Sequence, residues 1–297
     1  MEGPSLVILR QELEQFRGQK VLKVSGNTKQ PKESLRGCTL HGIDTWGKQL
    51  FLAFGATRRG AAPIVTKTHF LMFGSYRIND PRIGRVPRLE LTFKNGIMLF
   101  YACSIKFGAD EDLQALDRRV DLMSQEWEED HVVHLMLRKK NAALCDLFLD
   151  QTVFAGCGNI IKNEVLFNIR RHPLTKLAHV SSKDWPKVAR AVREYCWNFY
   201  EWKKKFELRK HWQVYRQAKC PLCDRKLVRE SVGLFLRRTF YCPQHQRLLR
   251  RGQKLVVFPV LPMRGTQEAE RPVDHSGETG ITRDIEALRD GCGKTRV

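Results

Sequence analysis

The chain has 297 residues, enough for one large domain or two ordinary ones. Lys and Arg number 52 against 32 Asp and Glu, a net +20, while 42% hydrophobic and 28% charged residues are ordinary globular usage and argue against wholesale disorder. The absence of any apolar run near about 18 residues excludes a transmembrane helix, the lack of a basic-then-apolar leader argues against secretion, and nine scattered cysteines favour a reducing compartment over a disulfide framework.

In chain order, residues 5–17 read as a helix: Leu6, Leu9, Leu13 and Phe16 recur at helical spacing, Pro4 precedes them and Gly18 follows. From Val21 to Tyr101 the pattern is strand-like. Leu89, Leu91 and Phe93 alternate with polar residues, and Asn95-Gly96 signals a hairpin before Ile97–Phe100. Residues 109–130 are acidic and irregular and read as a linker. Helical spacing follows: Val132, Leu135 and Leu137 lead into Leu144, Leu147 and Leu149. Val188, Val192, Tyr195, Phe199 and Trp202 then form one apolar stripe that reads as core. Short strands return at 218–258, and a polar tail from about Pro262 reads as disordered or accessory. The predicted organisation is α+β. An N-terminal β-rich domain with a leading helix spans 1–115, a linker 116–130, a helical domain 131–217, a metal hairpin 218–258 and a tail 259–297.

The charge is concentrated. Residues 201–254 hold 16 basic residues against 4 acidic ones, which points to a polyanionic partner. Within this segment Cys220-Pro-Leu-Cys223 and Cys242-Pro-Gln-His245 form two knuckles of ligand spacing. Three thiolates and one imidazole give the tetrahedral set zinc prefers, and four protein ligands leave no open position, so one structural zinc ion is expected. Ala155-Gly156-Cys157-Gly158-Asn159 can bring backbone N–H groups and a helix N-terminus at Asn159 up to a phosphate, with the Asn159 amide as a further donor. An ordinary inter-helix turn with glycine at the cap explains the same residues.

Several separated motifs together resemble the formamidopyrimidine-DNA glycosylase / endonuclease VIII family of base-excision repair, and more closely its endonuclease VIII branch. They are Met1-Glu2-Gly3-Pro4, Gly47-Lys48, His69-Phe70-Leu71-Met72-Phe73-Gly74-Ser75, Leu149-Asp150-Gln151 through Gly156-Cys157-Gly158-Asn159 to Glu164, Gln213-Val214-Tyr215 and Arg237-Arg238-Thr239-Phe240-Tyr241-Cys242. The match runs in order over about residues 1–258. It implies a β-sandwich with a leading helix, then a helix–two-turn–helix domain with a zinc-binding β-hairpin.

The resemblance also implies an activity: release of oxidised bases, pyrimidines preferred, from double-stranded DNA, followed by strand nicking at the abasic site. The protein would act as a monomer, in the bacterial cytoplasm with the nucleoid or in a eukaryotic nucleus. The implied nucleophile is the N-terminal amine, which forms a Schiff base with the sugar. An α-amine titrates near 7.7–8.0, so roughly a third is free at pH 7.5, against about 0.1% of an ordinary lysine. Here Met1 stands where the family has proline, giving a primary amine without the ring's fixed φ. Glu2 matches the general acid/base, Lys48 the strand lysine that contacts a phosphate, and Arg237 the arginine on the lesion phosphate, with Arg238 beside it. Met72, Lys106 and Phe107 match residues that fill the gap left by an extracted base, and Lys106 in place of arginine relaxes opposite-base choice. Two alternatives stand beside this reading. One is a damaged- or abasic-DNA-binding protein that has lost the amine chemistry, and the other is a zinc-hairpin nucleic-acid module of transcription.

Overall fold

Alternating apolar residues build two four-stranded antiparallel sheets. The computed structural model describes residues 1–55, 63–108 and 111–249, with backbone alone at 111–112. The expected polar tail and the far end of the zinc segment, residues 250–258, lie outside the described residues.

One sheet has the order β1-β6-β7-β5 and the other β2-β3-β4-β8. The strands are β1 Lys23–Ser25, β2 Thr39–Trp46, β3 Gln49–Gly55, β4 Ile64–His69, β5 Ser75–Ile78, β6 Leu89–Phe93, β7 Gly96–Tyr101 and β8 Ser104–Gly108. The 89–93 alternation is borne out: Leu89, Leu91 and Phe93 point inward with Met98 and Phe100, against Leu40, Leu50, Leu52 and Phe54 of the facing sheet. Phe93 pairs with Gly96, so Lys94 and Asn95 make the two-residue turn. Helix α1, Gly3–Leu13, runs into a 3-10 turn at Glu14–Phe16. Its Leu6, Leu9 and Leu13, with Phe16, enter the same core, each burial contributing about 1.5–3 kcal/mol.

The segment expected as a linker is packed structure. After α2, Glu111–Gln114, a 3-10 turn at Arg118–Val120 leads to Asp121 and Leu122, both buried, and Asp121 bridges to Ala155. Helix α3, Glu129–Arg138, buries Val132 and Met136, while Leu137 is exposed. The expected inward Leu137 is thus corrected: positions four apart share the face, and 137 lies beside it. A single turn, α4, covers Leu144–Leu147, and α5 covers Asn159–Asn168. Helix α6, Trp185–Lys204, buries the whole stripe read from the sequence. Among the described residues no helix is long and apolar enough to cross a membrane.

Helix α5 is a pillar buried on nearly every side, and its buried Lys162, Asn163 and Glu164 side chains are partnered. Lys162 Nζ donates to Thr239 Oγ1 at 2.6 Å, and Asn163 Oδ1 accepts the Phe240 N–H at 2.8 Å. Glu164 accepts the N–H groups of Gln213, Val214 and Tyr215 at 2.7–3.0 Å. The Lys162 and Asn163 bonds fix against α5 the hairpin of β9, Val228–Val232, and β10, Arg237–Tyr241, while those of Glu164 hold the chain at 213–215.

Candidate active site

Three segments distant in sequence converge at the first residues of the chain. Gly3 N–H donates to Gly156 O at 2.9 Å, and a Cβ on Gly3 would lie 2.9 Å from Gly156 Cα, so two backbones meet where only glycine fits. The β2–β3 turn, Gly47-Lys48, enters the same place: Gly47 N–H donates to Asp121 Oδ2 at 2.9 Å, and Lys48 Nζ donates to Cys157 O at 2.8 Å. Gln151 braces the glycine loop, donating to Cys157 O at 3.1 Å and accepting from Gly156 N–H at 3.1 Å.

The Glu2 carboxylate crosses this junction. Its Oε1 accepts the Ile160 N–H at 2.7 Å and its Oε2 the Ile161 N–H at 3.3 Å, at the N-terminus of α5. The anion received by that helix is therefore a carboxylate of the chain itself, where the sequence suggested a phosphate. The free N–H groups and the helix dipole stabilise it there. Gly158 makes the approach possible, since a Cβ at that position would lie 2.3 Å from the Glu2 carboxyl carbon. Burial raises the Glu2 carboxyl above the ordinary carboxylate range despite the opposing pull of the Ile160 N–H and the Lys48 charge. The residue-1 amine is lowered, chiefly by burial and further by Lys48 and Lys203, while Glu2 pulls it back up. Lys48 is lowered by burial, with Glu2 opposing. A carboxyl that more readily holds a proton thus shares the junction with two amines that more readily lose one.

Asn159 opens α5, and its Nδ2 donates to the backbone oxygen of Arg238 at 2.9 Å, so the expected phosphate donor also ties the helix to the hairpin. Arg237 and Arg238 are exposed at the start of β10, and the Arg237 charge is felt by Lys48. His69 ends β4 with Nδ1 accepting the Leu71 N–H at 3.1 Å, and burial together with Lys48 and the residue-1 amine lowers it. It belongs to the site, though the sequence marked it only as part of a motif. Gln151, which braces the glycine loop, was likewise marked only within a motif, and Asp121, which holds the turn, carried no mark.

The three expected gap-filling residues are not equivalent. Met72 is 64% exposed, with Leu71 and Phe73 beside it, at a cleft of about 500 Å³ that Val86, Arg88 and Cys103 also line. Phe107, on β8, is half-buried against the sandwich core, and Lys106 beside it is exposed.

Cys220, Cys223, Cys242 and His245 bring their ligand atoms within 4.8 Å of one another. Cys223 Sγ lies 3.7 Å from Cys242 Sγ, and His245 Nδ1 lies 3.6 Å from Cys220 Sγ and 3.4 Å from Cys242 Sγ. A tetrahedral ion with Zn–S near 2.3 Å sets its sulfurs about 3.8 Å apart, so the four groups fit a metal of that size. Gln246 Oε1 accepts the Cys242 N–H at 2.9 Å, steadying one knuckle.

A family model described as the formamidopyrimidine-DNA glycosylase H2TH domain matches residues 121–197. Endonuclease 8-like 3 of Xenopus laevis is 30% identical over 226 residues, covering 72% of this chain and 36% of that protein. Endonuclease 8-like 2 of Bos taurus is 31% identical over 209 residues, covering 65% of this chain and 61% of that protein. The chain therefore spans a little over a third of the length of the endonuclease 8-like 3 relative. Among solved structures, a viral DNA glycosylase matches with a TM-score of 0.73 at 19% identity, covering 83% of this chain and 100% of that one. Lactococcus lactis formamidopyrimidine-DNA glycosylase, bound to DNA containing an AP site, matches at 0.71 and 23% with the same coverages. At such identities the structural likeness establishes the fold.

Proposed function

The chain belongs to the formamidopyrimidine-DNA glycosylase / endonuclease VIII family, and from that premise we propose that it excises oxidised bases from double-stranded DNA, pyrimidines preferred, and nicks the strand at the abasic site. The observation that carries this reading is the junction of the residue-1 amine, Glu2 and Lys48 on the N-terminus of α5. In the chain as it stands, the Met1 amine attacks the sugar C1′. The C1′–base bond breaks and the base leaves with a proton given up by the amine; the C1′–O4′ bond then breaks as the ring oxygen takes a proton, and the nitrogen lone pair closes the imine that joins protein and sugar. Glu2, able to hold a proton, protonates the ring oxygen and handles later transfers. Lys48 and Arg237 hold the flanking phosphates, Asn159 and Arg238 extend the grip, and Met72, Lys106 and Phe107 fill the gap left by the extracted base. Cys220, Cys223, Cys242 and His245 would hold the zinc ion, which would supply structural support to the hairpin that presents the two arginines. The protein acts as a monomer wherever the cell keeps its DNA.

The test is a duplex carrying one oxidised pyrimidine: free base and a nicked strand are expected. Tight binding to abasic DNA with neither product would favour instead a damage-binding protein, the reading that Met1 in place of proline keeps open.

Two expected results follow from the junction. Imine formation needs the free amine, so its rate should rise with pH through a midpoint below the ordinary 8.0, because burial lowers that group. In Glu2→Gln the charge that raises the amine is gone, so the midpoint should move lower still, as read by a pH series of borohydride trapping on preformed abasic DNA. Gly158→Ala places a Cβ on the Glu2 carboxyl. Displacement of that group by about 1 Å should slow base release by about 10²-fold while binding to abasic duplex holds, as single-turnover assays and a titration would show.

A further inference from the structure

The turn between β9 and β10 reads Gly233-Leu234-Phe235-Leu236, and its three large apolar side chains are 86%, 53% and 70% exposed. Contiguous apolar groups turned to water mark a contact surface. The turn is also held rigidly. Asp146, buried on α4, accepts the Leu234 N–H at 2.8 Å and the Phe235 N–H at 3.4 Å. Gly233 takes φ +75°, where a Cβ would lie 2.3 Å from Asp146 Oδ1, and Leu236 sits at φ +46°, a region leucine seldom adopts. A fixed apolar tip binds without a large loss of conformational freedom.

Its surroundings choose the occupant. Residues 225–238 hold five basic side chains and one acidic one. Arg237 follows the tip directly, its charge reaches Lys48, and the Arg238 backbone is tied to Asn159. The tip therefore stands on the side of the candidate site. Phe235 and Arg237 are two positions apart across the end of the turn, so their backbones lie at most about 7 Å from each other, within about two nucleotide steps at 3.4 Å each.

We propose that the 233–236 tip is a stacking wedge: Phe235 lies on a nucleobase within two nucleotides of the phosphate that Arg237 grips, and Leu234 and Leu236 shield that base from water. This rests on the DNA-binding reading above. Aromatic stacking is sequence-tolerant and unscreened by salt, so it adds affinity without adding a phosphate contact.

The test uses the full chain and a duplex with a tetrahydrofuran abasic analogue, carrying 2-aminopurine one or two nucleotides to either side on the same strand. Wild-type protein should change the fluorescence of at least one position. Phe235→Ala should lose that change and bind about 5- to 150-fold more weakly, the range for one stacked base, with its salt slope unaltered. Phe235→Trp should restore both. Arg237→Ala, by contrast, should lower the slope by about one. Zinc content equal to wild type qualifies each variant, and Phe235→Leu, judged by the same readouts, replaces an alanine variant that loses the metal. Steep salt-dependent binding by wild type, with affinity and fluorescence unchanged in Phe235→Ala, would overturn the wedge and leave the DNA reading standing. Loss of sedimentation with phosphatidylserine vesicles in Phe235→Ala, at unchanged DNA affinity, would overturn it in favour of a membrane contact. Failure of wild type to bind the duplex would remove the DNA reading and the wedge with it.

Discussion

Borohydride added to the protein and a duplex carrying one abasic site is expected to lock the two together, with the adduct on the peptide that begins at residue 1. Burial and the nearby Lys48 and Lys203 charges lower that amine, so at neutral pH more of it is free than in an ordinary chain end. Its position is fixed through Gly3, whose N–H is bonded to Gly156 O at 2.9 Å. Two residues added ahead of Met1 carry the amine out of reach, and trapping should fall by at least about 10²-fold, the cost of misplacing a reacting group by as little as 1 Å. Lys48 is the internal competitor, because burial lowers it too. An adduct on Lys48 that survives the extension would show that the nucleophile is the lysine. Absence of any adduct, with tight binding kept, would favour the damage-binding alternative.

Elemental analysis should find one zinc ion per chain, and Cys242→Ser should lose it. Metal binding in small zinc motifs is coupled to folding by about 10–16 kcal/mol, far beyond what the short β9–β10 pairing supplies. In the variant the hairpin should unfold, releasing Arg237 and Arg238 together, and affinity for abasic duplex should fall by about 10²-fold or more, as expected when two phosphate contacts and their frame are lost. The sandwich has its own core around Leu6, Leu52 and Phe100, so its β-sheet circular dichroism should persist. A hairpin that stays folded and binds DNA without metal would refute the assignment.

What the sequence disclosed, and what it withheld, follows from range. Local rules were enough for the Asn95 turn, the α6 stripe and the start of α5 at Asn159, since each depends on neighbours within a few residues. The metal ligands were legible because their spacing is itself the constraint. Glu2 was marked as an acid by resemblance. Its bond to the Ile160 N–H spans 158 positions, and no periodicity carries that information. For the same reason Asp121 was lost in a supposed linker: its acidic neighbours look solvated, yet its oxygens hold the Gly47 and Met123 N–H groups. Phe107, marked by a motif for a role at the gap, is also partly buried against the sandwich core, a contact that no motif announced. The apolar tip at 234–236 reads as strand continuation, and only the turn at Gly233 turns those side chains to water.

The bonds at the first residues also constrain motion. Gly3 to Gly156, Glu2 to Ile160 and Ile161, Gly47 to Asp121 and Lys48 to Cys157 all join residues 1–48 to residues 121–161 at one spot. They act as a rivet. If the sandwich and the helical part swing against each other to admit a duplex, these bonds favour an axis near that rivet, as the pin of a pair of shears passes through both blades. Opening of the outer jaws would then leave the amine, the carboxyl and the lysine at their spacing. Substitutions that loosen the jaws should alter how fast the protein grips and releases its target, and leave the bond-breaking step untouched.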